Sequence, residues 1–562
     1  MKFMNKNVNS KQNSLAGMLF YFFITAAVSL SLYLCIKASG IEIIQIYLNT
    51  SYSYYITVLC ILSVTLIILF AYMTLHEAVT GTRPSRNPSP AWMRILSFIT
   101  AGSLLVASGA YYRNIHLSLY GDEPTAPRRL WTRIGPVVQF GPFHDRRASY
   151  GGITVWYFDP IAKNEPAMIK YGREPIPDRM RQGLEVAGTD GKRHEFHLAD
   201  LTPGTRYYYQ IPDWGDRLYS FKTVPPAFGN EPIRFICIGD TGNTKKGGYY
   251  FSYYRDVMRA ADKLYRDRHW EAAFIIHAGD AVRDGMDIDG WHQHFSSCDY
   301  SSIPNVTVAG NHEYLRDRGG NFRYFSGQPA YYSLDYAGAH ILSIHPFDGP
   351  GTSLDGPVLT TGADQYRFVK EDLARAAGKK WIIVVIHIPV LATGDYSTNE
   401  LLVAQYFDLF RKHSVDLVIS GHNHNFEGFH ADGNADGGGT IYIVAGSGGS
   451  ALDSYIMDRK ERRWKTWFHD PNSARGLYQK DRYTVRYFQY GELSWGFSDV
   501  EIRGDVMTVS YYRWLDFERF LKITGQDRSS WEMTPIDERS WKAHNLSNVV
   551  LVKKISKKKN KS

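Results

Sequence analysis

The chain has 562 residues, of which 44% are hydrophobic and 21% are charged, and this composition excludes a protein that is disordered throughout. The formal net charge is +8, but six lysines lie among the last ten residues. Because the rest of the chain is close to neutral, the sequence does not predict the distributed basic surface that binding of nucleic acid requires. The basic tail is interpreted as a solvated chain end, and a contact with anionic lipid or another polyanion is the alternative.

Three apolar runs near the N-terminus predict membrane-spanning helices. Residues 15–36, 55–75 and 95–112 contain no charged side chain, and about 20 apolar residues in a helix cross a hydrocarbon core about 30 Å thick. The third run is the weakest of them, and a cleaved signal peptide is the alternative interpretation of the first. The sequence therefore predicts a membrane anchor with three transmembrane helices over residues 1–115.

Basic residues around these runs indicate their orientation. Three lysines precede the first run and three arginines lie between the second and the third, whereas the loop between the first two contains a single basic residue, Lys37. Because basic loops remain in the cytoplasm, the N-terminus is predicted to be cytoplasmic. Three spans then place the rest of the chain on the extracytoplasmic side of the cell membrane, and losing the third span would return it to the cytoplasm.

Short strand-like runs separated by turn residues follow the predicted anchor. In residues 201–209, Leu-Thr-Pro-Gly-Thr-Arg-Tyr-Tyr-Tyr, a Pro-Gly turn precedes consecutive tyrosines. The spacing of the runs is typical of a β-sandwich, and the turn with its tyrosines resembles the fibronectin type III domain. We therefore predict a fibronectin III-like β-sandwich over residues 116–226.

Beyond the sandwich, compact apolar strands such as residues 233–238 alternate with amphipathic helical stretches such as residues 251–266. This alternation is typical of an α/β layered domain in which both faces of the sheet are covered. We predict such a domain over residues 227–515. A C-terminal extension with the basic tail, residues 516–562, follows it.

Five of the predicted strands end in residues that can bind a metal ion. These endings are Gly239-Asp240-Thr241-Gly242, Gly279-Asp280, Gly310-Asn311-His312-Glu313, His387 and Gly421-His422-Asn423-His424. Each of them alone is typical of a turn or of a core histidine, but α/β sheets collect their sites at the carboxyl ends of strands. The donor atoms are O and N without any thiolate, and this set suits Mn, Fe or Zn. Together the five endings predict a metal centre.

The order of these motifs resembles that of the calcineurin-like metallophosphoesterases and, within them, the purple acid phosphatase-like branch. The similarity covers roughly residues 128–513. It implies two divalent or mixed-valence metal ions, of Fe, Mn or Zn, with Asp280 as the residue that bridges them. The remaining implied ligands are Asp240 and His424 for one ion and Asn311, His387 and His422 for the other.

The resemblance also implies an activity. Family members hydrolyse small phosphate esters with a hydroxide held between the metals as the nucleophile, and His312 has the position of the general acid. The chain is thus predicted to be a membrane-anchored phosphohydrolase that acts on phosphomonoesters. The alternatives are a phosphodiesterase with the same dinuclear site and a non-catalytic surface protein that retains the fold.

Two positions close to the first two predicted ligands depart from the family pattern. Arg283 stands where purple members have the tyrosine that colours the iron, and Gly242 stands where many other phosphoesterases have a histidine. Arg283 is a candidate for binding substrate, because a guanidinium group binds phosphate through two parallel hydrogen bonds. An ion pair with Asp284 or another local carboxylate is the alternative role for Arg283.

Overall fold

The computed structural model describes most of the chain after residue 132. The described ranges are 133–160, 166–187, 192–227, 231–242, 244–246, 249–314, 319–345, 364–394, 398–432, 438–453, 455–458, 463–466, 486–527 and 533–559. The predicted membrane anchor, residues 1–115, lies outside these ranges. Within them, no helix combines the length and the apolar character that crossing a membrane requires.

Strands dominate the first part of the described chain. They are β1 (Ile134–Phe140), β2 (Phe143–His144), β3 (Arg147–Ala148), β4 (Ile153–Asp159), β5 (Met168–Gly172), β6 (Arg179–Gln182), β7 (Leu184–Ala187), β8 (Lys192–Leu198), β9 (Arg206–Gln210) and β10 (Tyr219–Lys222). The Pro-Gly turn before β9 is stabilised by the Tyr207 hydroxyl, which accepts a hydrogen bond from the Thr202 N–H group at 3.0 Å. The predicted β-rich region is confirmed, and its fibronectin III-like identity stays a prediction.

From residue 233 onward, strands alternate with helices. The strands are β11 (Ile233–Ile238), β12 (Thr244–Lys246), β13 (Tyr249–Phe251), β14 (Ile275–His277), β15 (Asn305–Thr307), β16 (Tyr332–Tyr336), β17 (Ala339–Ile344), β18 (Trp381–Ile386), β19 (Leu417–Ser420), β20 (Phe426–Ala431), β21 (Thr440–Ala445), β22 (Tyr455–Asp458), β23 (Arg463–Thr466), β24 (Phe488–Glu492), β25 (Ser494–Arg503), β26 (Val506–Asp516) and β27 (Val550–Lys558). The helices are α1 (Tyr254–Asp267), α2 (Ile288–Ser296), α3 (Gly320–Ser326), α4 (Asp364–Arg375), α5 (Glu400–Leu402), α6 (Asp408–Lys412), α7 (Phe517–Thr524) and α8 (Glu538–Ala543), with a π-helical turn (Val403–Phe407) between α5 and α6.

Two large sheets share one apolar core. Among the described residues, the first sheet has the strand order β27-β26-β25-β11-β14-β15-β1-β4-β8-β7, and the second has the order β2-β3-β16-β17-β18-β19-β21-β20-β24. In β11, Phe235 and Cys237 belong to the core between the sheets, whereas Ile236 and Ile238 pack with Val257 of α1 on the outer face. Helix α4 and the α5–α6 segment cover the outer face of the second sheet. The layers are therefore helix, sheet, sheet and helix, which confirms the predicted α/β architecture.

The β-rich region and the α/β region share a sheet. Strand β1 pairs with β15 in parallel at Gln139 and Asn305, and β4, β8 and β7 extend the same sheet outward. The remaining long strands of the β-rich region, β5, β6, β9 and β10, form a separate four-stranded sheet. The predicted division of the chain at residues 226 and 227 stays a prediction.

The C-terminal strand departs from the expectation of a solvated tail. Strand β27 pairs with β26 along its length, and Ile555 is buried in the core between the sheets. Lys557 is 6% exposed, and its Nζ atom lies 2.6 Å from Asp416 Oδ1, while Lys559 Nζ lies 2.9 Å from Asp416 Oδ2. The interpretation as a solvated end is wrong for these residues, because a buried carboxylate of the second sheet attracts them.

Candidate metal centre

The predicted ligands lie at the carboxyl ends of strands from both large sheets. Asp240 follows β11, Asp280 follows β14, and Asn311 follows β15 in the first sheet. His387 follows β18 and His422 follows β19 in the second sheet. Because parallel strands end at the same edge of their sheet, packing the two sheets together brings these side chains to one end of the shared core.

One half of the site consists of Asp280, Asn311, His387 and His422. His387 Nε2 lies 3.3 Å from Asp280 Oδ2 and 3.0 Å from Asn311 Oδ1, and His422 Nδ1 lies 3.1 Å from the same Asn311 oxygen. One potential ligand atom from each of Asp280, His387 and His422 lies within 4.8 Å of the other two. The residues predicted to hold one ion thus surround a single point.

The other half of the site consists of Asp240 and His424. Their Oδ1 and Nε2 atoms are 3.6 Å apart. Asp240 is fully buried, and its Oδ2 atom accepts a hydrogen bond from the His422 N–H group at 2.8 Å. Its Oδ1 atom has no hydrogen-bond partner in the described part of the chain. Since a buried carboxylate oxygen without a partner is costly, this atom fits a bound cation.

Burial and neighbouring charges shift the pKa values of these groups. Desolvation raises the pKa of Asp240 well above its usual range, against the opposing charge of His387. Burial also acts to raise the pKa of Asp280, but the positive charges of His387 and His312 outweigh it and hold that pKa below its usual range. Acting against desolvation, the Asp280 carboxylate raises the pKa of His387 to about 10. Because a histidine must be neutral at its ligating nitrogen, binding of a metal ion here releases a proton.

Three of the predicted ligands have a left-handed backbone conformation. The φ angle is 54° at Asp240, 54° at Asp280 and 70° at His422. Residues other than glycine adopt this conformation mainly where the surrounding structure holds it, often at functional sites. The adjacent glycines leave space for the carboxylates: a Cβ atom on Gly310 would lie 2.1 Å from Asp280 Oδ1, and one on Gly421 would lie 2.4 Å from Asp240 Oδ2.

Glu313 supports Asp280, a role that the sequence alone did not indicate. Its fully buried carboxylate accepts hydrogen bonds from the N–H groups of Asp280 at 2.9 Å, Val282 at 3.1 Å and Gly310 at 2.6 Å. Burial, and then the charge of Asp280, raise the pKa of Glu313 to about 7. The signal in the sequence was an acidic residue directly after His312, inside a motif whose ligands were already assigned.

His312 lies at the open side of the site. Its side chain is 36% exposed, and its Nε2 atom is 3.8 Å from Asp280 Oδ2. Its Nδ1 atom donates a hydrogen bond to the Arg283 carbonyl oxygen at 2.6 Å. This bond fixes the plane of the ring and directs Nε2 toward the site, where a substrate can reach it.

The two departures from the family pattern have different structural settings. Arg283 is half-buried, and no ion pair joins it to Asp284 within the described chain, where Asp284 Oδ1 instead accepts a hydrogen bond from the Met286 N–H group at 2.9 Å. Gly242 lies against backbone: a Cβ atom there would be 2.8 Å from the carbonyl carbon of Val282. A histidine therefore does not fit at Gly242, and an ion bound at Asp240 would have one protein ligand fewer than in family members with a histidine at this position.

Comparison with known proteins identifies the domain that contains these residues. Residues 233–426 match the family model of the calcineurin-like phosphoesterases. Purple acid phosphatase 21 of Arabidopsis thaliana is 29% identical over 407 residues, which cover 68% of this chain and 88% of that protein. The phosphoenolpyruvate phosphatase of Allium cepa is 26% identical, over 67% of this chain and 79% of its own length. The chain therefore contains a calcineurin-like phosphoesterase domain and is homologous to the purple acid phosphatases.

A solved structure shows the same fold. The purple acid phosphatase from seeds of yellow lupin, Lupinus luteus, superposes with a TM-score of 0.52 at 17% identity and covers 72% of this chain and 78% of the lupin chain. Another relative of this chain, at 26% identity over 54% of it and 69% of the relative, is the Fe(3+)-Zn(2+) purple acid phosphatase 12 of Arabidopsis thaliana. The family uses a dinuclear centre of Fe with Zn or Mn, and the N and O donors described above suit these ions.

Proposed function

We propose that this protein is a metal-dependent phosphohydrolase that acts on phosphomonoesters. The observation that carries the proposal is that strand ends of the first sheet, which bear aspartates, and strand ends of the second sheet, which bear histidines, meet at one site. His312 lies at the open side of this site. The homologous phosphatases support the assignment to phosphoric monoesters. A scaffold that only bound a partner would need neither the unpartnered oxygen of Asp240 nor an oriented His312.

Residues of the chain would hold the metal ions and orient the reacting groups. Asp240, Asp280, Asn311, His387, His422 and His424 are the proposed ligands. Two ions bound by them would acidify a water molecule and neutralise the oxygens of the phosphate. Asp280 is held for this task from both sides, because Oδ1 accepts the His312 N–H group at 3.0 Å while Oδ2 faces His387 Nε2 at 3.3 Å.

His312 is the proposed general acid. As the bond between phosphorus and the leaving oxygen breaks, the protonated Nε2 atom of His312 donates its proton to that oxygen. The hydrogen bond from Nδ1 to the Arg283 carbonyl keeps the ring in the orientation that this transfer requires. Arg283 is the proposed contact for the phosphate group. It lies three residues after Asp280 in the sequence, and its carbonyl oxygen accepts the hydrogen bond from His312 Nδ1.

The proposal is tested on the full-length protein purified in detergent. We expect close to two metal ions per chain and hydrolysis of phosphomonoesters that is lost with a chelator and restored by Mn, Zn or Fe. A parallel panel of phosphodiesters separates the two enzymatic hypotheses, since faster cleavage of diesters would favour the phosphodiesterase. A protein that retains no metal and hydrolyses neither class would contradict the proposal and favour the non-catalytic alternative.

We further propose that residues 1–115 anchor the enzyme in the cell membrane with its catalytic part on the extracytoplasmic side. The three uncharged apolar runs and the distribution of basic residues around them support this topology. An epitope placed after Ser562 tests it. Labelling of the epitope on intact cells is expected, whereas labelling only after permeabilisation would place the catalytic part in the cytoplasm.

A further inference from the structure

A second buried glutamate lies beside the proposed ligands. Glu427, the second residue of β20, is fully buried. Its carboxylate accepts hydrogen bonds from the N–H groups of Thr393 at 2.6 Å and Gly394 at 3.0 Å. It also accepts hydrogen bonds from the side-chain amides of Asn423 at 3.3 Å and Asn425 at 3.1 Å. Two backbone and two side-chain donors thus converge on one carboxylate.

These donors come from two segments that each carry proposed ligands. Thr393 and Gly394 belong to the segment that follows His387. Asn423 lies between His422 and His424, so a shift of its backbone moves both histidine rings. Glu427 therefore connects the two histidine-bearing segments of the second sheet, just as Glu313 connects the Asp280 and Asn311 segments of the first.

A neighbouring carboxylate completes the connection. Asp453 Oδ1 accepts a hydrogen bond from the His424 N–H group at 2.8 Å, and its Oδ2 atom accepts one from Asn425 Nδ2 at 2.8 Å. Gly394 lies so close that a Cβ atom there would be 2.3 Å from Asp453 Oδ2. A side chain at residue 394 would therefore collide with the carboxylate that accepts hydrogen bonds from His424 and Asn425.

We propose that Glu427 is a positioning residue of the metal centre, whose carboxylate fixes His422 and His424 relative to the segment after His387. This inference rests on the proposed metal-dependent function. Carboxylates form stronger hydrogen bonds with N–H donors than neutral acceptors do, and partners outside the ligand shell typically alter metal affinity or activity by about 10–100-fold when they are replaced. Glu427 itself does not touch the substrate, and it acts through the ligands.

The substitution Glu427→Gln tests the proposal with little change in side-chain volume. A glutamine offers one oxygen and one NH₂ group, so at least one of the four N–H donors must face another donor. We expect metal-stripped full-length E427Q to bind Mn²⁺ about 10–100-fold more weakly than the unaltered protein in isothermal titration calorimetry, with a corresponding loss of kcat. The melting temperature of both metal-free proteins is measured alongside.

Glu492→Gln is the matched control. Glu492 lies opposite Phe426 on the neighbouring strand β24, and it accepts hydrogen bonds from the Tyr490 hydroxyl at 2.6 Å and Arg513 Nη1 at 2.8 Å. We expect E492Q to alter the melting temperature without altering the affinity for Mn²⁺. If E427Q behaves in the same way, Glu427 has a structural role only and the inference is wrong.

A milder variant covers the case in which E427Q does not fold. Asn425→Ala removes one donor to Glu427 and one to Asp453, and we expect weaker binding of Mn²⁺ in the same assay. Unchanged affinity in N425A would overturn the inference. The unaltered protein separates a failure of the proposed function from a failure of this inference. If the unaltered protein binds no Mn²⁺ and hydrolyses no ester, the proposed function is wrong. If E427Q and N425A bind Mn²⁺ and turn over substrate normally, only this inference is wrong.

Discussion

Backbone groups of the chain hold several side chains of the site in place. Asp280 Oδ1 accepts the His312 N–H group, Asp240 Oδ2 accepts the His422 N–H group, and His387 Nδ1 donates to the Ala278 carbonyl at 2.8 Å. Because these contacts use backbone atoms, replacing partly exposed side chains at the rim should alter the chemistry without dismantling the site. His312 and Arg283 are the two residues for which this expectation matters most.

Replacing His312 by alanine should separate proton donation from metal chemistry. We expect kcat on alkyl phosphates to fall by about 10²–10⁴-fold, because their leaving oxygen needs a proton. The loss on nitrophenyl phosphate should be far smaller, since nitrophenolate leaves without one. Steady-state rates on both esters, with metal content checked in each preparation, measure the difference. Equal losses on the two substrates would count against the role as general acid.

Replacing Arg283 by alanine should weaken substrate binding. We expect KM for a phosphomonoester to rise by about tenfold or more, in line with the energy of a charge-assisted hydrogen bond, while metal content stays unchanged. Arg283→Lys is the matched variant, since it keeps the charge but loses the paired hydrogen-bond donors, and its KM should lie between the two. An R283A enzyme with the KM of the unaltered protein would show that Arg283 does not contact the substrate.

At the scale of elements, β27 joins the two sheets. It extends the first sheet beside β26, and its Ile555 side chain is buried in the core between the sheets. This side chain packs against Gly428 of the second sheet, where an added Cβ atom would lie 2.4 Å from Ile555 Cδ1. Lys557 and Lys559 reach Asp416, the residue before β19. The tail therefore stabilises the strand whose far end carries His422.

Replacing Ile555 by alanine should destabilise the protein by about 2–4 kcal/mol, because it removes buried methyl groups and leaves a cavity between the sheets. Urea unfolding followed by tryptophan fluorescence measures the change. The exposed Lys558 on the same strand is the control, and K558A should stay within about 0.5 kcal/mol of the unaltered protein. A similarly small effect of I555A would mean that β27 contributes little to holding the sheets together.

At the scale of the whole molecule, a buried charge network couples stability to pH. His340 of β17 lies 2.8 Å from Asp335 and 2.8 Å from Asp372 of α4. Burial acts to lower the pKa of His340, but the hydrogen bonds to both carboxylates outweigh this effect and raise it above its ordinary value. Against the effect of burial, contacts with His340 also lower the pKa of Asp335 and of Asp372. The network thus favours a protonated imidazole between two ionised carboxylates.

The signs of these shifts define a pH window. The contribution of His340 is fully present below its unfolded pKa of about 6.5 and is lost as pH rises through its higher folded value. The contribution of the two aspartates is present above their unfolded pKa of about 4 and is lost as pH falls. The network should therefore stabilise the fold most between about pH 4 and about pH 6.5.

Replacing His340 by glutamine should remove this dependence, because glutamine cannot be protonated. We expect H340Q to lower the melting temperature more at about pH 5 than at about pH 8, measured calorimetrically with excess chelator so that metal binding does not contribute. An equal loss at both pH values would show that the imidazole is not charged in the folded protein.

Much of the fold and of the candidate site was predictable because its signals are local. Apolar strands followed by glycine and a polar residue predicted where Asp240, Asp280 and His422 lie on the sheets. The close approach of Gly310 to Asp280 and of Gly421 to Asp240 shows why small neighbours are needed there. The burial of Glu313 and Glu427 was not predictable, since an acidic residue beside a motif gives the same sequence pattern whether solvent or N–H groups surround its carboxylate. The pairing of β1 with β15 was not predictable either, because the pattern of a strand does not show which other strand it pairs with.

The sequence by itself determined which residue types stand at the ends of strands. These residue types indicate the class of chemistry, because backbone freedom and donor atoms are properties of single residues and their immediate neighbours. Only the tertiary structure decided that strand ends far apart in the chain meet, that two glutamates hold the ligand segments, and that the lysine-rich end returns to a buried Asp416. Those contacts depend on how two sheets stack on a shared core, and this packing is set by long-range burial of apolar surface that no local pattern encodes.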